Sequence, residues 1–226
     1  MGLIFFASAG NAQNQQNAPS INLPDSDDKW LHYGFVIGGH TSNYRIKYSP
    51  EFIRSTLDTV QSIQALNKPG FSLGFLLNLR LAKYADLRLQ PKVGFYEHEL
   101  VYTFTGGRAD RRQLIESTIV EMPLLLKYKS ARRGNIRMYM IGGVNPALRV
   151  SGKKDEGEEK LLINNTNFSV EYGFGVDLYY PLFKFSPEIR FSHGLVNLLS
   201  PVNNVYSRGL QSVTAHSVTL YLLFSD

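Results

Sequence analysis

Apolar and polar residues alternate along most of the chain with a period of two, the pattern of a β-strand whose two faces meet different surroundings. The clearest segment has an apolar face made of Phe168, Val170, Tyr172, Phe174, Val176, Leu178 and Tyr180. Its opposite face carries Ser169, Glu171 and Asp177. Other segments repeat the alternation, with apolar faces that begin at Leu31, Phe71, Leu87, Val120, Ile136, Phe183 and Val218. The pattern predicts eight strands.

Long and short connections alternate between these segments. The long ones cover residues 41–69, 106–112, 152–165 and 199–213, and the short ones cover residues 83–86, 130–135 and 181–182. Strands joined by short turns form antiparallel hairpins, so every long loop falls at one end of the sheet. Outer-membrane barrels have this asymmetry, with short periplasmic turns and longer external loops. Both termini are therefore predicted to be periplasmic.

Either a soluble barrel or sandwich, or a membrane barrel with its apolar face in lipid, could use this alternation. Glycines on the polar face suit a crowded interior, at Gly34, Gly74, Gly94, Gly173 and Gly175. Aromatic residues cluster near the short turns, as in an interfacial girdle, at Tyr84, Tyr128, Tyr180, Phe183 and Phe185. The apolar stretches are close to the roughly 9–11 residues that a tilted strand needs to cross hydrocarbon. The predicted fold is all-β, an eight-stranded antiparallel transmembrane barrel in the outer membrane of a Gram-negative cell, surrounded by lipid.

The composition narrows the functional classes. The 226 residues include no cysteine, which excludes disulfide frameworks, thiolate catalysis and cysteine zinc sites. No apolar run approaches the roughly 18 residues of a membrane-spanning helix. The net charge of +5 is a mild excess, and no nucleic-acid partner is predicted from it.

The N-terminal residues predict an export signal ahead of the barrel. Residues 3–7 are apolar, and the small-residue stretch at 9–12 resembles a signal-peptidase site, although a frayed apolar terminus is the alternative. We therefore assign residues 1–12 to a signal-peptide remnant, 13–29 to a flexible, polar mature N-terminus and 30–226 to the barrel domain.

Eight strands enclose a space that side chains can fill. The charged residues of the polar faces are predicted to point inward and to form a structural network of ion pairs rather than a transport pathway. This predicted network comprises Arg80, Arg88, Lys92, Glu121, Lys127, Arg137, Arg149, Glu171, Asp177, Glu188 and Arg190.

The third predicted strand changes its pattern after Phe95, where Glu97 and Glu99 begin to alternate with Leu100. A bulge at Gly94 that reverses the phase, or an extension of the strand beyond the bilayer, would each explain the change.

Catalytic candidates are few. His98 lies beside Glu97 and Glu99, and His193 follows Ser192, but adjacent strand residues point to opposite faces. His98 is expected to be a solvated residue at the rim. No nucleophile, base and orienting group can be assembled, and the histidines have no metal-ligand spacing. The protein is therefore predicted not to be an enzyme and to hold no cofactor or metal.

The chain from Trp30 to Asp226 resembles the PorT family of Bacteroidota outer-membrane barrels. The resemblance is carried by SLGFLLNLRL at residues 72–81, MPLLLKYK at 122–129, GGVNP at 142–146, PEIRFSHGL at 187–195 and NLLSP at 197–201. It implies a component of the type IX secretion system, with other secretion-system subunits in the outer membrane or periplasm as partners, and it transfers no catalytic residue. The alternatives are a stand-alone structural or adhesive barrel and an outer-leaflet lipid-modifying enzyme.

Overall fold

The computed structural model describes residues 21–50, 60–104, 111–151, 164–199 and 210–226. The predicted signal-peptide remnant at residues 1–12 lies outside these ranges. A short 3-10 helix, Pro24–Asp27, precedes eleven β-strands. The strands are β1 (Leu31–Tyr48), β2 (Val60–Leu66), β3 (Lys68–Ala82), β4 (Ala85–Leu89), β5 (Lys92–Phe104), β6 (Arg111–Glu121), β7 (Leu124–Lys129), β8 (Ile136–Ser151), β9 (Thr166–Tyr179), β10 (Lys184–Gly194) and β11 (Leu210–Ser225). Within the described residues, no helix is long and apolar enough to cross a membrane.

The eleven strands form eight segments of the barrel wall, which we call staves. Three of the staves are interrupted, and each of these three therefore consists of two strands. β2 continues into β3 past Asn67, β4 into β5 past Gln90 and Pro91, and β6 into β7 past Met122 and Pro123. Proline has no N–H group to donate to the ladder, which accounts for the breaks at Pro91 and Pro123. Backbone bonds still connect neighbouring staves there, since the Gln90 N–H donates to the Pro123 carbonyl at 3.1 Å.

The staves form a closed ring. β1 pairs with β3 on one side and with β11, the last strand, on the other. β8 pairs with β9, β9 with β10, and β10 with β11, which completes the circuit. All of these pairings are antiparallel, so the predicted antiparallel barrel is confirmed, with eleven strands arranged as eight staves.

The wall of the barrel is apolar outside and polar inside. Phe75 and Met140 on the outer face are 69% and 68% exposed, whereas Arg88 and Arg190 on the inner face are 2% and 1% exposed. A soluble barrel would show the opposite arrangement. The outer face is therefore the lipid-facing surface of a transmembrane barrel.

The two ends of the barrel differ. The short turns at residues 83–84, 130–135 and 180–183 lie at one end, together with the C-terminal Asp226, whose N–H donates to the Tyr33 carbonyl. The strand ends that flank residues 51–59, 105–110, 152–163 and 200–209 lie at the opposite end. We call these the short-turn end and the long-loop end.

Of the two explanations for the changed pattern of the third stave, the bulge at Gly94 is excluded. β5 pairs with β6 in unbroken register from Lys92 opposite Glu121 to Tyr102 opposite Arg111. Glu97 therefore lies on the same outward face as Phe95. The backbone phase is unchanged, and the outward-facing positions change from apolar to charged residues. The regular register favours the other explanation, a strand that extends beyond the apolar band.

Candidate functional site: the barrel lumen

The centre of the lumen is occupied by a carboxylate held between two arginines. Glu188 accepts a hydrogen bond from Arg88 Nη1 at 2.7 Å, from Arg190 Nε at 2.9 Å and from the Tyr139 hydroxyl at 2.8 Å. β10 positions Glu188 and Arg190 on its inner face two residues apart, while Arg88 reaches across from β4. Glu188 and both arginines are almost fully buried. The arrangement joins opposite walls of the barrel.

Arg190 extends this centre toward the long-loop end. Its Nη1 donates to Glu171 at 2.9 Å and its Nη2 to the Gln90 side-chain oxygen at 2.9 Å. The Asn145 amide donates to Glu171 at 2.6 Å and also to Glu121. Charge-assisted bonds of this kind connect Glu188 to Glu171 through a single guanidinium.

Glu121 forms the next layer. Lys92 Nζ lies 2.9 Å from its carboxylate, and the Tyr96 hydroxyl donates to it at 2.5 Å. Lys92 also contacts the Tyr221 hydroxyl, and the Arg190 guanidinium lies 4.4 Å from the centre of the Tyr221 ring.

Two further pairs fill the half of the lumen near the short turns. Lys127 Nζ donates to both oxygens of Asp177, at 2.9 and 2.6 Å, and the Ser186 hydroxyl donates to the same carboxylate at 2.6 Å. Lys129 Nζ lies 2.7 Å from Asp86. Buried charges must be paired to remain ionised. Lys127 and Lys129 each have a carboxylate partner here.

Apolar side chains fill the remaining space between the layers. Val36, Leu76, Tyr221 and Leu223 form one buried cluster, and Leu125, Tyr139 and Ile141 form another. The glycines of the inner face allow this crowding: a Cβ on Gly143 would overlap the Leu124 carbonyl oxygen. The arrangement therefore blocks the lumen with side chains and can hold no wide solute pathway.

Residues 22–28 lie across the short-turn end, and we call them the N-terminal strap. Asp27 accepts bonds from Arg137 Nη1 and Nη2 at 2.7 and 2.9 Å, and Arg80 bonds the Asp27 carbonyl. The Asn22 amide donates to the Tyr179 carbonyl at 2.9 Å. Partial burial would raise the pKa of Asp27, but the hydrogen bonds and charge of Arg137 outweigh it and hold that pKa below its usual range. Residues 21–29 of the segment expected to be flexible are thus folded against the barrel, because their polar groups meet the charges of its rim.

The predicted network residues fall into three places. Arg88, Lys92, Glu121, Lys127, Glu171, Asp177, Glu188 and Arg190 meet one another in the central layers. Arg80 and Arg137 lie at the short-turn end and contact the strap. Arg149 lies at the long-loop end, beside Tyr44.

Sequence reasoning missed several inward-facing groups of the network. These are Asn78, Asp86, Gln90, Tyr96, Lys129, Tyr139, Asn145, Lys184 and Tyr221. The alternation places Gln90, Lys129, Lys184 and Tyr221 on polar faces of predicted strands, but the predicted network left them out. Tyr96 and Tyr139 carry no clear signal, because tyrosine also occurs on the lipid-facing side.

The structure separates the catalytic candidates. His98 is 3% exposed and stacks inside the barrel on Tyr44, with 3.9 Å between ring centres, so the expectation of a solvated rim residue is wrong. Glu99 points outward and pairs with Lys68 at 2.6 Å. Ser192 bonds the Ser169 hydroxyl inside, whereas His193 bonds His216 outside at 2.8 Å.

Across the described ranges, no group of three or more histidine, aspartate and glutamate side chains is arranged to hold a metal. A hydrolytic triad also needs a nucleophile, a base and an orienting acid in mutual contact, and the residues above do not provide one.

Comparisons with known proteins give a family and a fold. A family described as "Outer membrane protein beta-barrel domain" matches residues 11–200. Comparison with curated proteins finds no significant match. Among solved structures, OprG from Pseudomonas aeruginosa is similar with a TM-score of 0.50 and 11% identity, over 86% of this chain and 92% of OprG.

Two smaller barrels align with lower scores. Neisserial surface protein A gives a TM-score of 0.41 at 11% identity, covering 85% of this chain and 97% of its own. Ail of Yersinia pestis gives 0.37 at 10% identity, covering 88% and 100%. At such identities the likeness to OprG is one of fold alone.

Proposed function

The chain belongs to the outer-membrane protein β-barrel domain family, and from this premise we propose that it is a non-enzymatic component of the type IX protein secretion system. In this proposal it is needed for export or for assembly of the machinery and does not form the main conduit. Its termini and the N-terminal strap face the periplasm, and its partners are other secretion-system subunits in the outer membrane or periplasm.

The filled lumen is the observation that carries the proposal. Arg88, Glu188 and Arg190 join opposite walls through bonds of 2.7 and 2.9 Å. An exported protein could pass only if this network and both apolar clusters were dismantled. Contacts with partners are therefore assigned to the loops, the strap and the outer wall.

The assignment to secretion rests on the PorT resemblance, and two of its motifs also have structural roles in this barrel. The PEIRFSHGL stretch supplies Glu188 and Arg190, the centre of the network. Asn197 in the NLLSP stretch accepts bonds from the Leu199 and Val213 N–H groups, both at 3.0 Å, and so ties the last long connection to β11.

A clean deletion strain tests the proposal. We expect export of secreted cargo proteins to be lost and to return on complementation with the wild-type gene. General outer-membrane permeability, measured as uptake of a small hydrophilic dye, should stay unchanged because the lumen is filled. Normal export in the deletion strain would refute the secretion role.

The same strain separates the alternatives. Normal export with reduced adhesion or envelope integrity would favour a stand-alone structural or adhesive barrel. A changed lipid A mass spectrum would favour a lipid-modifying enzyme. We expect that spectrum to be unchanged in the deletion strain and in a His98→Ala variant, because His98 is buried inside the barrel, away from lipid.

A further inference from the structure

Arg149 differs from the arginines and lysines of the central layers. Arg88, Lys92, Lys127 and Arg190 each lie within 2.9 Å of a carboxylate oxygen. No carboxylate of the described residues lies within 4.0 Å of Arg149, whose Nη2 is 3.5 Å from the Tyr44 hydroxyl oxygen. A contact of that length is a weak hydrogen bond. The guanidinium therefore has unused donors.

Arg149 borders a small cavity at the long-loop end of the lumen. The cavity has a volume of about 50 Å³, and the exposed residues Asn164 and Asn165 form its outer border. One water needs roughly 10–15 Å³ by the same measure, so a group of roughly three to five heavy atoms fits.

Buried polar atoms without a hydrogen-bond partner line this cavity. They are Ser42 Oγ, both ring nitrogens of His98, Asn145 Oδ1, Arg149 Nε and Asn167 Oδ1. Buried polar groups in folded proteins are almost always hydrogen-bonded, so a concentration of unpartnered ones around one space marks a site for a polar ligand.

The donors define the charge of that ligand. Arg149 supplies a fork of N–H groups, the geometry that recognises carboxylate and phosphate oxygens. Ser42 and His98 each add one donor beside it. The amide oxygens of Asn145 and Asn167 suit a hydroxyl or N–H group next to the anionic one.

Glu121, which also borders the cavity, does not oppose an anion. Its carboxylate is neutralised by Lys92 at 2.9 Å and accepts bonds from Tyr96 and Asn145. Among the described residues that line the cavity, Arg149 consequently carries the charge that no carboxylate compensates.

We propose that the cavity binds an oxyanion, a carboxylate or phosphate group, with Arg149 as its principal contact and Ser42 and His98 as additional donors. The ligand enters from the long-loop end, which in the proposed orientation faces the outside of the cell. The site is separate from the blocked centre of the lumen and does not depend on a role in secretion.

The test is an NMR titration of the full chain, folded in detergent micelles and labelled with ¹⁵N in its arginine, histidine and tyrosine residues. Sodium phosphate and sodium acetate are added separately, at constant ionic strength set with sodium chloride. The Arg149 Nε–H resonance is assigned by its absence in Arg149→Gln. The matched control is Arg112→Gln, which removes an arginine from the same end, where Arg112 is 73% exposed and faces Glu99 outside the cavity.

We expect a saturable shift of the Arg149 resonance with at least one of the two anions, in the wild type and in Arg112→Gln. In Arg149→Gln the accompanying shifts of Tyr44 and His98 should disappear, and Arg149→Lys should bind ~10-fold more weakly because it lacks the fork. Saturation with phosphate alone identifies a phosphate ligand, and saturation with acetate alone a carboxylate.

Two results would overturn the proposal. One is a shift that rises linearly with both anions in the wild type, and the other is saturation that persists in Arg149→Gln. Gel mobility before and after boiling shows whether each variant is folded, so loss of binding can be separated from loss of the barrel.

Discussion

Replacing Glu188 with glutamine removes one charge from the centre of the lumen and keeps the shape of the side chain. Glu188 accepts bonds from Arg88, from two nitrogens of Arg190 and from Tyr139. In Glu188→Gln an NH2 group replaces one of the two carboxylate oxygens. This group donates hydrogen bonds and cannot accept them, so it cannot bond to the donors that surround it. Arg190 then keeps only Glu171 as a carboxylate partner, and Arg88 loses the one carboxylate with which it pairs among the described residues.

The magnitude follows from the number of bonds lost. A hydrogen bond to a charged group contributes roughly 1.5–3 kcal/mol, and about two of the bonds to Glu188 cannot form with glutamine. Removing one member of a buried ion pair costs about 3–5 kcal/mol in other proteins. We therefore expect Glu188→Gln to lower the free energy of unfolding by about 3–5 kcal/mol.

Urea titration of the refolded barrel in detergent micelles measures this change, with gel mobility before boiling as the measure of folded protein. Glu97→Gln is the matched control, since it makes the same substitution on the outward face of β5. Its effect should stay within about 0.5 kcal/mol. A Glu188→Gln variant within about 1 kcal/mol of the wild type would refute the reasoning, because the charges would then have to be hydrated rather than paired.

Three further predictions concern other parts of the structure. Gly143→Ala should destabilise the barrel by roughly 1–3 kcal/mol, because the new Cβ overlaps a backbone carbonyl of β7. Gly142→Ala should be tolerated, since the nearest atom to its new Cβ lies at 3.8 Å. Urea titration measures the stability of both variants. Phe75→Arg, at the middle of the apolar band of β3, should cost ~2–4 kcal/mol in lipid vesicles, and Leu81→Arg near the short turn only ~0–1 kcal/mol. Asp27→Asn should release the strap and shift the emission of the single tryptophan at pH 7. Arg137 outweighs the effect of partial burial and holds the pKa of Asp27 below its ordinary value of 3.8. The wild type should therefore show the change in tryptophan emission only when the pH falls below 3.8 and Asp27 becomes protonated.

The alternation of residue types was sufficient to predict which side chains face inward. Lipid and lumen demand opposite chemistry from the two faces of each strand, so Arg88 and Arg190 could be placed inside from the pattern of their neighbours alone. The same reasoning predicted the number of staves and the asymmetry of the ends.

The partners of these side chains could not be predicted. Arg88 and Glu188 are 100 positions apart in the chain, and their contact depends on how far each stave is displaced along its neighbour. Local alternation carries no information about that displacement.

Two other features escaped prediction because their composition is ambiguous. The strap has the polar, proline-containing composition of a flexible segment, and it is fixed by bonds to rim residues distant in the chain, among them Arg80 and Arg137. On β5, Glu97 and His98 exchange the usual polarity of the two faces, which suggested a change of backbone phase that the regular register excludes.

We infer that this outer-membrane barrel is closed by its own side chains and conducts no solutes. Single-channel recording of the folded protein in a planar lipid bilayer is the decisive experiment for this closure. We expect a baseline without conductance steps in molar potassium chloride at neutral pH. Stable steps of the size produced by open porins would show that the lumen is open.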